Sequence, residues 1–174
     1  MSDLIKIYEK DVHPGLKEDQ DIFWDMSRSA RVVVVDRDGH VALLHVRHRC
    51  YYMLPGGRAD SDEESYEQIA RREIREEAGV DIEMITALGM SQEFRNKRSV
   101  QKISQCFVGR VIGEKGPTKF TEKEVHRGFE LLWVPAAHAL DLFVSSKPED
   151  YTGPFTVKRD SHFLQKAVDL GLLD

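Results

Sequence analysis

The sequence predicts an α+β domain, a mixed sheet held between helices in an α/β/α sandwich. Three observations carry this. Short runs of β-branched or alternating apolar residues recur from one end of the chain to the other. Two or three segments carry the helical period instead. No internal repeat, low-complexity segment or long linker interrupts the 174 residues, a length that suits one domain spanning 1–174.

The elements read as follows. "DLIKIYE" alternates like a short strand, and "HPGLKEDQD" is a polar loop. "IFWDMSRS" reads as either a strand or a loop with aromatic anchors. "ARVVVVD" is a β-branched strand, and Asp38-Gly39 is a hairpin turn signal that leads to a return strand, "HVALLHVR". "HRCYYMLPGG" holds a short apolar piece and then a Pro-Gly-Gly break. A helix is predicted from about Glu63 to Ala78, with Gly79 as its C′ residue. "EMITALGMSQEF" and "QKISQCFVGRVI" are two strands joined by the basic turn "RNKRS". "GEKGP" is a loop, "FELLWVP" a strand and "AAHALDLFV" a short helix. "YTGP" breaks the chain, and "DSHFLQKAVDLGL" is a closing helix with Asp160 as candidate N-cap and Gly171 past its end.

A hydrophobic fraction of 41% supports an ordinary core, and a formal net charge of −5 excludes a bulk nucleic-acid binder. A locally basic pocket for an anionic small molecule stays compatible with that charge. There are two cysteines, Cys50 in a polar loop and Cys106 in an apolar strand, with no spaced framework that would suggest disulfides or secretion. "MSDLIKIYEKD" has no apolar signal region, and no apolar run is long enough to span a bilayer. A reduced, cytoplasmic protein with no membrane partner is expected.

The carboxylate-rich helix raises the functional question. At about 100° per residue, with Glu73 at zero, Glu77 falls near about 40° and Glu76 near about −60°. Tyr66 and Ala70 fall within the same arc. Glu73 and Glu77 therefore edge the apolar stripe. A charge run is more commonly a solvated face with i,i+4 pairs, and Glu63, Glu67 and Arg71 fit that description. Three carboxylates crowding the packed side repel one another unless a cation neutralises them, and hard oxygen donors suit Mg²⁺. The glycines ahead of the helix let the backbone approach a ligand, and the Gly56 carbonyl can join a metal shell. Metal, anion and carboxylates together point to phosphate chemistry.

These residues resemble the Nudix hydrolases, whose box reads G, five residues, E, seven residues, R-E-U-x-E-E-x-G-U, with U bulky and aliphatic. Here Glu64 is followed after seven residues by Arg72-Glu73-Ile74-Arg75-Glu76-Glu77-Ala78-Gly79-Val80. One departure stands: six residues separate Gly57 from Glu64, an insertion expected in the loop before the helix. The resemblance extends over about residues 30–145, with the first thirty residues and the closing helix as additions.

It implies the Nudix α/β/α sandwich and hydrolysis of a nucleoside diphosphate linked to another moiety. It also implies Mg²⁺ as cofactor, with Mn²⁺ able to substitute, bound by Glu73, Glu76, Glu77 and the Gly56 carbonyl. Glu73 and Glu77 carry the catalytic role, Arg72 orients the glutamates, and Glu64 supports the loop–helix junction. Gly56, Gly57 and Arg58 are expected to meet the substrate. A general base from outside the helix is common in the family. Glu124 is the first candidate, then Glu122, with Glu130 also in range, although each is more simply an exposed loop glutamate. The partner expected is a small nucleotide-type molecule, with a homodimer left open. The alternative is a catalytically inactive Nudix-fold nucleotide-binding or sensor module, which the full set of box glutamates disfavours.

The remaining residues are read more plainly. His45 and His48 lack a second pair at zinc spacing. Trp133 and Phe129 read as core. Trp24, Tyr51 and Tyr52 could stack a base but more often pack. Arg95, Lys97 and Arg98 read as a solvated basic turn. Substrate tags of the family are missing: there is no proline between Gly79 and Pro117 and no tyrosine from Val80 to Asp150.

Overall fold

The computed structural model describes residues 3–17 and 21–173. The strands are β1 (Asp3–Tyr8), β2 (Asp25–Val35), β3 (His40–Val46), β4 (Tyr51–Met53), β5 (Asp81–Arg95), β6 (Val100–Ile112) and β7 (Phe129–Pro135). The helices are α1 (Glu9–Val12), α2 (Tyr66–Glu77), α3 (Glu122–His126), α4 (Ala136–Ser145) and α5 (Gly153–Asp169). Part of the predicted "HPGLKEDQD" loop, residues 18–20, lies outside the described residues.

The seven strands form one mixed sheet in the order β1-β5-β6-β2-β3-β4, with β7 paired to β3. The pairs β1–β5 and β2–β6 are parallel, and the others are antiparallel. The α+β sandwich is therefore present as expected. Strand periodicity decides which side chain enters which layer. In β2, Ala30, Val32 and Val34 pack with Ile69, Ala70, Ile74 and Ala78 around α2. Val33 and Val35 point the other way, into a core with Phe143 of α4 and Phe163, Leu164 and Ala167 of α5. The sheet is thus covered by α2 on one face and by α4 and α5 on the other.

Along the second face the rows change character. Val35 and Val33 are followed by Arg31, and Val108, Cys106 and Ser104 are followed by Lys102, all of them buried. The face is apolar at one end and charged at the other.

Three local readings need correction. Helix α2 begins at Tyr66, not Glu63, because Ser65 is its N-cap: the Ser65 side chain accepts the Gln68 N–H and Gln68 returns a bond to the Ser65 N–H. Asp160 is no N-cap. Helix α5 starts seven residues earlier, at Gly153, with Pro154 in its first turn, where proline removes no needed donor. Asp160 is instead fully buried in mid-helix. Finally, α3 forms in what reads as a loop, capped by Thr121. The ends that were foreseen stand: Gly79 and Gly171 both take positive φ after α2 and α5, at 65° and 63°.

Candidate active site

The loop ahead of α2 lies along β2. Ala30 N–H donates to Gly57 O at 3.0 Å, Val32 N–H to Pro55 O at 3.1 Å and Ala59 N–H to Arg28 O at 2.9 Å. Gly56 has φ +138°, and a Cβ there would strike the Ala30 carbonyl. A Cβ on Gly57 would collide with the Glu73 carboxylate. The two glycines therefore let the loop lie against both the strand and the helix glutamate. The extra residue of the loop is absorbed between Arg58 and Glu64, where Glu64 N–H donates to Ser61 O at 3.3 Å.

The wheel assignment of α2 holds for Glu73, Glu77 and Glu67, but not for Glu76, which turns outward, or for Arg71, which is half-buried and donates to the Ile82 carbonyl. Glu73 is 8% exposed and Glu77 3%, whereas Glu63 and Glu67 are exposed. Glu77 Oε2 accepts the Gly56 N–H at 2.7 Å. Burial pushes its carboxyl well above the ordinary range, and Glu73 and Glu124 push the same way; Arg31 and the Gly56 N–H oppose them. Burial also raises Glu73, against a hydrogen bond from Arg72. Arg72 braces the junction: its Nε donates to Glu64 at 2.9 Å, Nη1 to Glu73 at 2.7 Å and Nη2 to the Arg58 carbonyl at 2.8 Å. Glu76 is half-exposed and sits 3.9 Å from Arg72.

Glu73 and Glu77 open onto a cavity of about 630 Å³, a size that suits a small-molecule site. Gly56, Gly57, Arg58 and Glu124 border it too. Glu122 and Glu130 do not; Glu130 lies 3.9 Å from His45 on β7's neighbour strand. Glu124 occupies the third position of α3, and its Oε2 accepts the Thr121 N–H at 2.8 Å. Tyr51 and Phe129 border the cavity, Tyr52 stacks on His45 at 4.3 Å, and Trp24 packs edge-on to Phe94.

The rest of the wall is mostly cationic, with Asp150 as a carboxylate and Met53, Thr121, Thr152 and Thr156 as neutral members. Arg31, Arg95 and Lys102 reach it from β2, β5 and β6, Arg98 from the β5–β6 turn, Arg49 from the β3–β4 connection, and Lys123 and Arg127 from α3 and its C-terminal end. Arg31 is 5% exposed and donates to the Gly56 carbonyl. Arg95, expected in a solvated turn, is 8% exposed and gives Nε and Nη2 to Glu93 Oε2 at 2.8 and 2.5 Å.

Behind it runs a buried chain: Arg159 Nη1 to Glu93 at 2.7 Å, Arg159 Nε to Asp160 at 2.6 Å, and Asp160 accepting the Leu54 N–H at 2.9 Å. This chain ties the glycine loop to Arg95. Burial alone would raise Glu93; Arg159, Arg95 and Lys102 hold it down to about 2. Of these residues, the sequence pattern flags a charge inside an apolar strand only for Arg31.

A second acidic group, Asp36, Asp38 and His40, has ligand atoms within 4.8 Å of one another. It braces the β2–β3 turn: Asp36 Oδ1 accepts the Asp38 and His40 N–H groups, and Oδ2 takes Lys115 at 2.6 Å. It borders none of the cavity.

The glycine loop laid against buried glutamates belongs, by the family match that follows, to a hydrolase that acts on phosphoric anhydride bonds. The family model described as NUDIX domain matches residues 26–152. The chain belongs to the Nudix family, whose members generally cleave nucleoside diphosphate derivatives. Solved structures share the fold. A Nudix hydrolase from Nitrosomonas europaea aligns at TM-score 0.56 and 14% identity, over 78% of this chain and 89% of that one. A MutT protein from Methanosarcina mazei Go1 aligns at 0.53 and 18%, over 82% and 97%. A MutT Nudix hydrolase from Burkholderia pseudomallei aligns at 0.54 and 19%, over 77% and 97%. A sequence search of curated proteins gives no match. No helix among the described residues is long and apolar enough to cross a membrane.

Proposed function

We propose that this chain is a divalent-metal-dependent pyrophosphohydrolase that cleaves a nucleoside diphosphate linked to another moiety. The observation that carries it is the Glu73–Glu77 pair. Two neighbouring carboxylates are buried, both disfavoured in their ionised forms, and they open onto a cavity walled mostly by cations.

Such a donor set fits a hard divalent cation, Mg²⁺ or Mn²⁺. Glu73, Glu76 and Glu77 would hold it, with the Gly56 carbonyl, whose second lone pair stays open beside the Arg31 bond. Bound, the cation would neutralise the diphosphate and the departing phosphate.

The chain's own residues do the rest. Arg72 orients Glu73 and locks the loop through Glu64 and the Arg58 carbonyl. Gly56, Gly57 and Arg58 present backbone and charge to the substrate. Glu124 would take the proton from the attacking water. It borders the cavity and lies close enough to bear on Glu77, yet is not held by the helix that holds the metal. Its Oε2 is engaged at the α3 cap, which leaves Oε1 for the water. Residues 1–174 act as one domain in this reading, supported by the α5 side chains in the shared core. A cytoplasmic setting is consistent with the two free cysteines.

The test is a panel of nucleoside triphosphates, nucleotide sugars and dinucleotides, with Mg²⁺ or Mn²⁺ and with excess EDTA, read by product analysis. Metal-dependent release of a mononucleotide or phosphate is expected. Turnover undiminished in EDTA would overturn the metal role, and binding without any turnover would leave the sensor module.

A further inference from the structure

Lys102 is 8% exposed and sits in β6 opposite Ser27 and Glu93. Among the described residues its ammonium forms no ion pair and no hydrogen bond. Burial pulls its pKa well below the ordinary lysine value, and Arg31, Arg95 and Arg159 add to that, against an opposing pull from Glu93. A lysine in such a place costs stability unless an anion meets it.

The wall it belongs to has a second side. A further hollow of about 320 Å³ shares Arg58, Arg95, Arg98 and Lys102 with the main cavity. It is otherwise bordered by Asp25, Met26, Ser27 and Val100, and by neither Glu73 nor Glu77. Arg95 is already matched by Glu93. Arg58, Arg98 and Lys102 form no ion pair among the described residues. Among the described residues, Asp25 is the single carboxylate lining that hollow.

We propose that Lys102, Arg98 and Arg58 form a second anion subsite, where the substrate places a phosphoryl group additional to the diphosphate at Glu73 and Glu77. The inference rests on this cavity being the substrate site. Three cations against one carboxylate are best neutralised by a dianion, and planar guanidinium donors beside an ammonium suit phosphoryl oxygens. Arg95, fixed by Glu93, which Arg159 in turn anchors from behind, supplies a rigid edge. The group can come from two sources: a third phosphate in a linear chain, or a phosphomonoester elsewhere on the molecule.

The experiment is titration calorimetry in Mg²⁺, which the diphosphate site at Glu73 and Glu77 needs, with each probe's integrity checked by product analysis. Inorganic tripolyphosphate and pyrophosphate are the probes, on the wild type, Arg98→Ala and Lys102→Met. The wild type should bind tripolyphosphate about tenfold or more tighter than pyrophosphate, the scale of one or two charge-assisted contacts. Each variant should lose about tenfold for tripolyphosphate and much less for pyrophosphate. Thermal melts check that Lys102→Met is folded, and Arg98 is exposed, so its replacement poses no packing problem.

ATP, ADP and adenosine 3′,5′-bisphosphate then separate the sources. Preference for ATP assigns a linear third phosphate, and preference for the bisphosphate assigns a separate ester; either supports the subsite. No discrimination by the wild type, or variants that bind tripolyphosphate as the wild type does, would overturn it. Absent turnover with the discrimination intact would count against the proposed reaction and leave the subsite standing.

Discussion

Replacing Glu77 by Gln tests the metal-holding role and the burial argument at once. Glu77 is the most buried carboxylate of α2, and burial raises its folded pKa well above the ordinary value. A carboxyl whose folded pKa is raised supports the fold while protonated. That support fades as pH rises from the ordinary carboxylate range through the folded value. Glu77→Gln replaces this carboxyl by a neutral side chain at every pH, so it leaves no anion to bury. The metal-free variant should melt no lower than the wild type. A cation at about a hundred times its dissociation constant adds about 2.7 kcal/mol to the wild type. For a domain of this size that is a rise of about 5–10 °C in Tm, and the variant should lose most of it. If the cation supplies about 4 kcal/mol to the transition state, kcat should fall about 10³-fold. Calorimetric melts with and without Mg²⁺, together with steady-state turnover, measure both. Glu67→Gln, on the exposed side, should change neither. Equal losses at Glu67 and Glu77, or an unchanged metal shift in Glu77→Gln, would refute the reasoning.

Three further outcomes are expected. Glu124→Gln should lower kcat by about 10²-fold with little change in KM, the scale of general base catalysis, and Glu122→Gln, outside the cavity, should be milder; near wild-type kcat in both would move the base into α2, with Glu73 the first suspect. Gly57→Ala should keep the fold, since Gly57 is not in the left-handed region, yet drive the Glu73 carboxylate from its place and cost about 10²-fold in kcat, the scale of a misplacement near 1 Å; full activity would show that Glu73 need not lie against the loop. Glu93, held at about 2 in the fold against an ordinary 4.5, contributes about 3 kcal/mol that is complete above pH 4.5 and lost as pH falls toward 2. Urea unfolding of wild type and Glu93→Gln should therefore differ by about that much less at pH 2 than at pH 5, and a constant difference would contradict the ion network.

What could be read from the sequence was what is local. The valine run of β2, the Asp38-Gly39 turn and the glycines that end α2 and α5 announce themselves within a few residues, because backbone conformation and side-chain period are set there. The start of α5 was hidden by the same local reading. Gly153-Pro154 looks like a break, although proline in a first turn is compatible with a helix. Helix α3, five residues long, is too short to show a period. Asp160 looked like a cap because short polar side chains often cap helices. Its actual partners, the Leu54 N–H and Arg159, include one 106 positions away, and no local pattern encodes that.

The site divides along the same line. Its two buried carboxylates come from one helix, where Glu73 and Glu77 lie one turn apart, so spacing alone places both on the packed edge. Its basic half is assembled by the sheet: Arg31, Arg95 and Lys102 come from three strands and meet only because β2, β5 and β6 are neighbours. Each sits in a run whose alternation reads as core or as solvated turn, and the alternation is obeyed. Arg31 and Lys102 do face inward, at the end of the face where the apolar row gives way to charge. A charge at an inward strand position is costly unless something pairs it, and among the described residues Lys102 forms no ion pair. On the proposed reading, the metal-holding carboxylates thus lie in the local half of the site, and the second anion subsite lies in the half that folding brings together.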